Sequence, residues 1–361
     1  MAVYFITVSL VIILSGLAQS VDRPYQSNYD GLQVVHTQSA RFFLFLTTAI
    51  LVFVSGFRFR VGTDYGAYYY GYLSYAQDFV KATVGLKEPG YPLLCRIAIL
   101  LGGDGATAIF LAALVTIWPA LRTIYKHTDQ LLLASMLYIF LGCWDGSFNG
   151  VRQYLAATML FCGYDYLEAR NLRKYLFWVF IAFLFHRSAI VMAALYFVVH
   201  RKISIRNLLV LFLGSILALL AYDRVISFAG WITESQYIMT DEYATHQVNI
   251  LRVLAALAPA VLFLILYAPE QKNPRETMYL NMLVIHAAMR VATMNSALLY
   301  RIGIYTTLFQ TIAIAELLKG VKPTTRRTVL FFMIPLFAIF WWYEISHNGS
   351  TSVFHWIWER A

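Results

Sequence analysis

A run of about 20 apolar residues is long enough to cross a lipid bilayer as a helix, which satisfies every backbone polar group internally. This sequence holds such runs along its whole length. They lie near 3–19, 41–57, 106–124, 130–144, 152–167, 250–268, 278–295, 301–318 and 328–345, with another at 207–229 that ends near Asp223 and Arg224. The stretch 174–200 is long enough to cross twice, broken by His186 and Arg187. The expectation is an all-α, polytopic integral membrane helical bundle of about twelve transmembrane helices, in one domain over residues 1–361. Composition agrees: 13% of the 361 residues are charged and 60% are hydrophobic, whereas soluble chains carry about 25% charge.

Charge then sets the topology. The chain has 28 Lys and Arg against 19 Asp and Glu. In a soluble protein that excess would suggest nucleic acid; here the positive-inside rule accounts for it, and no nucleic-acid partner is expected. With twelve spans, Arg23/Arg41, Arg122/Lys126, Arg170/Arg173/Lys174, Arg201/Lys202/Arg206, Lys272/Arg275 and Lys319/Lys322/Arg326/Arg327 all fall on one side, the cytoplasmic one. Both termini and the loops 58–105, 145–151, 186–187, 223–249 and 296–300 then face outward. The segment 91–103 is too short to span and carries Arg96, so it is read as re-entrant or interfacial. "ILSGLAQ" near the N-terminus lacks a basic leader, so the first span is expected to stay uncleaved. Cys95, Cys143 and Cys162 are an odd number and suggest no disulfide framework.

Ionisable residues at the ends of apolar spans are costly, about 2.5–3.5 kcal/mol at a helix centre. On this topology Arg58, Arg60, Arg152, His186, Arg187, Arg290 and Arg301 gather at outer ends. Each could snorkel to the interface, but snorkelling cations belong on the cytoplasmic side. Their presence outside points to an anionic ligand, and the planar guanidinium fork suits a diphosphate. His286 shares a helical face with Arg290 and reads as a buried His bonded to a neighbouring helix.

The segment "RFRVGTDYGAYYYGYLSYAQDFV" (58–80) spaces Tyr65, Tyr68, Tyr69, Tyr72 and Tyr75 at three and four residues, as in an amphipathic helix along the outer surface. Asp64 is either the salt-bridge partner of the arginines before it or a general base. The loop 223–249 offers Trp231, Glu234, Asp241, Glu242 and His246, which suit a sugar and equally any solvated loop. No P-loop, GxSxG, HExxH or CxxC pair occurs. Neither nucleotide, cofactor nor catalytic metal is indicated, and chemistry would rest on carboxylate, imidazole and guanidinium.

Four stretches in order, "RFRVGTDYGAY" (58–68), "EPGYPLL" (88–94), "FNGVRQYLAA" (148–157) and "FHRSAIV" (185–191), resemble those of the EpsG-type, Wzy-like polysaccharide polymerases of bacteria; "LYRIGIY" (299–305) is a looser match. The resemblance implies a GT-C-like glycosyltransferase of the bacterial cytoplasmic (inner) membrane. It would polymerise undecaprenyl-diphosphate-linked oligosaccharide repeat units into O-antigen, capsule or exopolysaccharide at the outer face. The growing chain would be donor, its reducing-end sugar passing to a hydroxyl of the incoming unit with inversion. A chain-length regulator protein is a further implied partner. Carried over by position, Arg58, Gly62, Asp64, Tyr65 and Tyr68 match the first stretch, Glu88 and Gly90 the second, Asn149, Arg152 and Gln153 the third, His186 the fourth, and Arg301 the last. Asp64 is the first expectation for the base, His186 the second and Glu242 the third. Arg58, Arg60, Tyr65, Tyr68, Asn149, Arg152, Gln153, Arg187, Arg290 and Arg301 are expected to bind diphosphate or sugar. The rivals are a ligase using the same donor and a lipid-linked sugar flippase.

Overall fold

The computed structural model describes residues 1–26, 33–220, 248–267 and 273–360. Asp223, Arg224, Trp231, Glu234, Asp241, Glu242, His246 and Lys272 lie outside the described residues.

Apolar runs become helices, and polar residues, prolines and glycines set their ends. In chain order the helices are α1 Ala2–Val21, α2 Gln38–Gly56, α3 Tyr65–Tyr70, α4 Tyr72–Gln77, α5 Phe79–Val84, α6 Gly90–Leu100, α7 Gly105–His127, α8 Leu131–Phe140, α9 Val151–Cys162, α10 Tyr164–Glu168, α11 Leu172–Phe185, α12 Leu195–Val198 and α13 Ile205–Leu220. After the second undescribed stretch come α14 Ile250–Tyr267, α15 Pro274–Ala292, α16 Ala297–Tyr300, α17 Ile304–Gly320 and α18 Pro323–His347. A two-residue antiparallel pair, Tyr25–Gln26 with Val34–Val35, is the one sheet among the described residues. Thr37 caps α2 by accepting from the Ala40 N–H, and Asp104 caps α7 by accepting from the Ala106 and Thr107 N–H groups. Asn273 caps α15, with Pro274 at its first position.

Among the described residues six helical stretches are long and apolar enough to cross a membrane: Ala2–Val21, Gln38–Gly56, Gly105–His127, Ile250–Tyr267, Ala297–Gly320 and Pro323–His347. The protein is a multi-pass, all-α membrane protein. Of the other expected spans, 130–144, 152–167 and 174–200 are helical but shorter or interrupted, 278–295 falls largely in the 19-residue α15, and 207–229 is described only as far as Leu220. The 130–144 run gives α8, ten residues followed by a turn whose Gly142 has φ 73°. The 174–200 run breaks at His186, which is extended at φ −155°, and continues as a 3-10 helix, Arg187–Ala194. The 58–80 segment differs from expectation. It forms three short helices, α3 to α5, hinged at Gly71 and Asp78, and Tyr65 and Tyr68 are buried.

The chain divides into two compact units, Met1–Ala193 with Lys322–Ala361, and Ala194–Val321. In the first, α7 packs against α2, α6 and α9; α1 packs against α2 and α8; and α11 packs against α9. The short helices that follow α2 sit on this frame through a cluster of Tyr68, Tyr91, Leu94, Cys95, Ala108 and Leu155. Trp144 is fully buried and donates its indole N–H to the Ser55 hydroxyl at 2.8 Å. Segments that the charge pattern assigns to one side meet one another at one end of this unit. His36 bonds Asp22 Oδ2 at 2.6 Å, His127 Nε2 lies 2.6 Å from Asp165 Oδ1, and Arg326 bonds Gln130. In the second unit α15 is central, packed against α13, α14 and α17. Its Asn281 amide donates to the carbonyls of Val199 and Arg201 at 2.8 and 2.7 Å.

Candidate functional site

The first and third motifs are latched residue by residue in the first unit. Gly62 has φ 105°, and a Cβ there would stand 2.5 Å from the Phe148 carbonyl oxygen, so only glycine allows this approach. One residue on, Asn149 Oδ1 accepts from the Thr63 N–H at 2.6 Å and from its hydroxyl at 2.9 Å. One further on, Asp64 Oδ2 accepts from the Gly150 N–H at 2.8 Å. Gly150 is the residue before α9, left-handed at φ 62°. Asp64 therefore leaves its own helix uncapped and places its carboxylate at the N-terminus of α9, where the helix dipole favours an anion.

Glu88 joins the second motif to the third and fourth. Its Oε2 accepts from Arg152 Nη1 at 2.7 Å and its Oε1 from the Arg187 N–H at 2.8 Å, while His186 Nδ1 lies 4.0 Å from Oε1. The Glu88 side chain is 15% exposed and that of Arg152 33%. Glu88 is itself left-handed, φ 55°, at a cost of about 1–2 kcal/mol for a residue with a Cβ. Gly90 admits the Phe185 ring, which a Cβ would meet at 2.5 Å. That contact brings the turn after α11 beside α6. Arg152 also hydrogen-bonds the Tyr68 hydroxyl and lies over the Tyr75 ring at 5.8 Å. His186 Nδ1 faces the Ser188 hydroxyl at 2.8 Å and the Ser188 N–H at 3.4 Å. A backbone N–H can only donate, so Nδ1 is an acceptor and the neutral ring carries its proton on Nε2. The Arg187 guanidinium has no hydrogen bond or ion pair among the described residues.

The other expected residues divide by role. Arg58 is 3% exposed and bonds inward, to the Ser55 and Val61 carbonyls, with its guanidinium 4.7 Å from the Phe148 ring centroid. Burial pushes it down to about 10. Its geometry is that of a clamp under the latch. Arg60 is exposed, left-handed at φ 53°, and held above its ordinary range by a hydrogen bond with Tyr70. Tyr65 packs beside Phe59 and stacks on Tyr69, and Gln153 is buried in the first turn of α9. Among the described residues no group of three or more His, Cys, Asp or Glu side chains is placed to hold a metal ion.

In the second unit Arg290 donates to the Tyr300 carbonyl at 2.9 Å and to the Thr307 hydroxyl at 3.2 Å, 4.1 Å above the Tyr300 ring. Its Nε lies 3.5 Å from His286 Nε2, and His286 bonds Thr306 at 2.8 Å, a buried His tied to the next helix as expected. Arg301 begins the 3-10 turn between α16 and α17 and is half-buried.

Sequence reasoning missed the C-terminal segment. Gly62 N–H donates to the Ser350 carbonyl at 2.9 Å, Phe59 N–H to His355 at 2.8 Å, and Ile357 N–H to Phe57 at 2.8 Å, so residues 350–357 strap the first motif down. Arg360 closes the strap on Asp104 at 2.8 Å. Asp104 is partly buried, but Arg360 and two backbone N–H groups outweigh this and hold its carboxyl below the usual range. The alternating aromatics of "VFHWIWER" were the available signal.

Comparison with known proteins places the chain in one family. Searches of curated proteins and of solved structures returned no match. The EpsG family model matches residues 41–357, which span all five motifs and most of the strap. This multi-pass membrane protein therefore belongs to the EpsG family.

Proposed function

We propose that this protein polymerises lipid-diphosphate-linked oligosaccharide repeat units into a surface polysaccharide, from the outer face of the bacterial cytoplasmic membrane. Family membership supports a membrane polysaccharide polymerase in general. The observation that carries the finer reading is the gathering of Asp64, Glu88, Arg152, His186 and Arg187 by the two latches. A glycosyl diphosphate carries its own activation, so the enzyme needs a base for the acceptor hydroxyl and positive charge for the departing diphosphate.

In this reading the acceptor oxygen attacks the anomeric carbon of the donor as the bond from that carbon to the diphosphate oxygen breaks, inverting the centre. The proton of the acceptor hydroxyl passes to the Asp64 carboxylate, which has lone pairs beyond those used by Gly150 and Thr63. Arg152 and Arg187 hold the diphosphate as its charge grows, and the Nε2–H of neutral His186 is a further donor. Arg58 supports the first motif from below. Glu242, the third expectation for the base, lies outside the described residues, and Arg290 and Arg301 remain proposed anion contacts of the second unit. Undecaprenyl diphosphate is the proposed carrier, and a chain-length regulator the proposed protein partner.

The test is genetic. Deleting the gene and running the extracted surface glycan on a gel should remove the long ladder while single repeat units still reach the surface. Complete loss of surface repeats would instead indicate a flippase, and polymer accumulating on its lipid carrier a ligase. Asp64→Asn keeps an acceptor for the Gly150 N–H but cannot serve as a base. It should insert and fold normally and make no ladder; a near-normal ladder removes Asp64 from that role.

A further inference from the structure

We infer that Glu88 is a positioning residue for the reaction: its carboxylate, projected from a left-handed backbone, sets the Arg152 guanidinium and the His186–Arg187 turn at a fixed spacing around the leaving diphosphate. The inference rests on the polymerase reading above. Two residues of this turn have positive φ, Leu86 at 49° and Glu88 at 55°. Leu86 is explained locally. It follows α5, and the Lys87 N–H bonds back to the Ala82 carbonyl at 2.8 Å, the closing bond of a helix C-cap in which a left-handed residue is usual.

Glu88 has no such account. No turn hydrogen bond to its backbone occurs among the described residues, and the next residue is Pro89, which favours extended backbone before it. What the conformation achieves is reach. One oxygen takes Arg152, 64 residues away, and the other takes the Arg187 N–H, 99 residues away. Backbone strain that local structure does not explain, in a residue holding two cationic motif positions, is characteristic of a functional constraint. The Glu88 carboxylate already holds the Arg152 guanidinium and the Arg187 N–H. Its charge would repel the diphosphate were its purpose to bind it, so its contribution lies in geometry.

The test uses the full chain in nanodiscs, with undecaprenyl diphosphate as the binding probe and repeat-unit lipid extracted from the deletion strain as substrate. Glu88→Gln keeps the shape and removes the charge that fixes Arg152; Glu88→Gly also relieves the left-handed backbone. Both should lose turnover by about 100-fold, the scale of a misplacement of roughly 1 Å. Undecaprenyl diphosphate should bind as well as to wild type or slightly better, and Glu88→Gly should melt no lower than Glu88→Gln. Glu88→Asp, which restores the charge, should recover part of the turnover. Wild-type turnover in Glu88→Gln overturns the inference, as does a loss of turnover in both variants that tracks a fall in melting temperature. Failure of the wild type to bind undecaprenyl diphosphate removes the polymerase reading itself, a result distinct from either.

Discussion

Arg152 and Arg290 are the same residue type at the ends of apolar helices, one in each unit, and they are neutralised differently. Arg152 faces a carboxylate, Glu88, at 2.7 Å. Arg290 is held by a carbonyl, a hydroxyl, a ring face and an imidazole nitrogen, with no carboxylate among its described partners. A charge that is paired in place serves to fix the loops that carry its partner. A charge held only by dipoles keeps its full attraction for an anion that arrives from outside. Arg152 is thus pinned in place by a counter-charge, whereas Arg290 is held without one.

The largest expected effect separates the two arginines. Arg152→Ala strands the Glu88 carboxylate and should cost about 2–3 kcal/mol, read as a lower melting temperature, along with loss of the glycan ladder. Arg290→Met removes an uncompensated cation and should leave melting nearly unchanged while shortening the ladder. Equal destabilisation by both would break the comparison.

The glycines beside these sites sharpen it. Gly62→Ala sets a Cβ 2.5 Å from a backbone carbonyl at a positive φ, and should cost about 2 kcal/mol. Gly303→Ala also meets an atom at 2.5 Å, but that atom is Nε of the Arg290 side chain, and φ at Gly303 is −62°. A side chain can move aside, so the loss should be about 1 kcal/mol. Urea melts of the two variants in one detergent compare them directly.

The smallest effect concerns a second acid of the first unit, one that lacks a cation. Burial pushes Asp145 up to about 6, with nearby Glu344 adding to it, against the 2.9 Å hydrogen bond from Trp341. A carboxyl whose folded value is raised binds its proton more tightly in the folded state. Its contribution to stability is therefore present at low pH and lost as pH rises from about 4 to about 6. Asp145→Asn should flatten the dependence in that window, and an unchanged slope would show that Asp145 does not titrate there.

The motif residues were legible in the sequence, whereas their pairing was not. Asp64 looked equally like a partner for the arginines before it and like a base, and nothing in the sequence shows that it meets the Gly150 N–H at the start of α9. Arg58 had the look of an outward anion ligand and is buried under the latch. The tyrosine spacing suggested one amphipathic helix, yet the segment bends at Gly71 and Asp78 and buries Tyr68 against α7 and α9. Glu88 was visible as a motif position, but nothing around it in sequence shows that it meets Arg152.

By itself the sequence determined that the chain is a multi-pass helical membrane protein, because the transfer of apolar side chains into lipid adds up locally along each run. It also carried the family's motifs in their order. The tertiary structure alone decided which motif residues meet, which arginine is paired and which is not, and that residues 350–357 hold the first motif in place. Those facts depend on contacts between segments 64 to 99 residues apart, and for the strap on one end of the chain lying against residues near the other. Local propensity contains no term for such contacts; they are fixed by packing, by the room left where a glycine lacks a Cβ, and by the need to satisfy charge away from water.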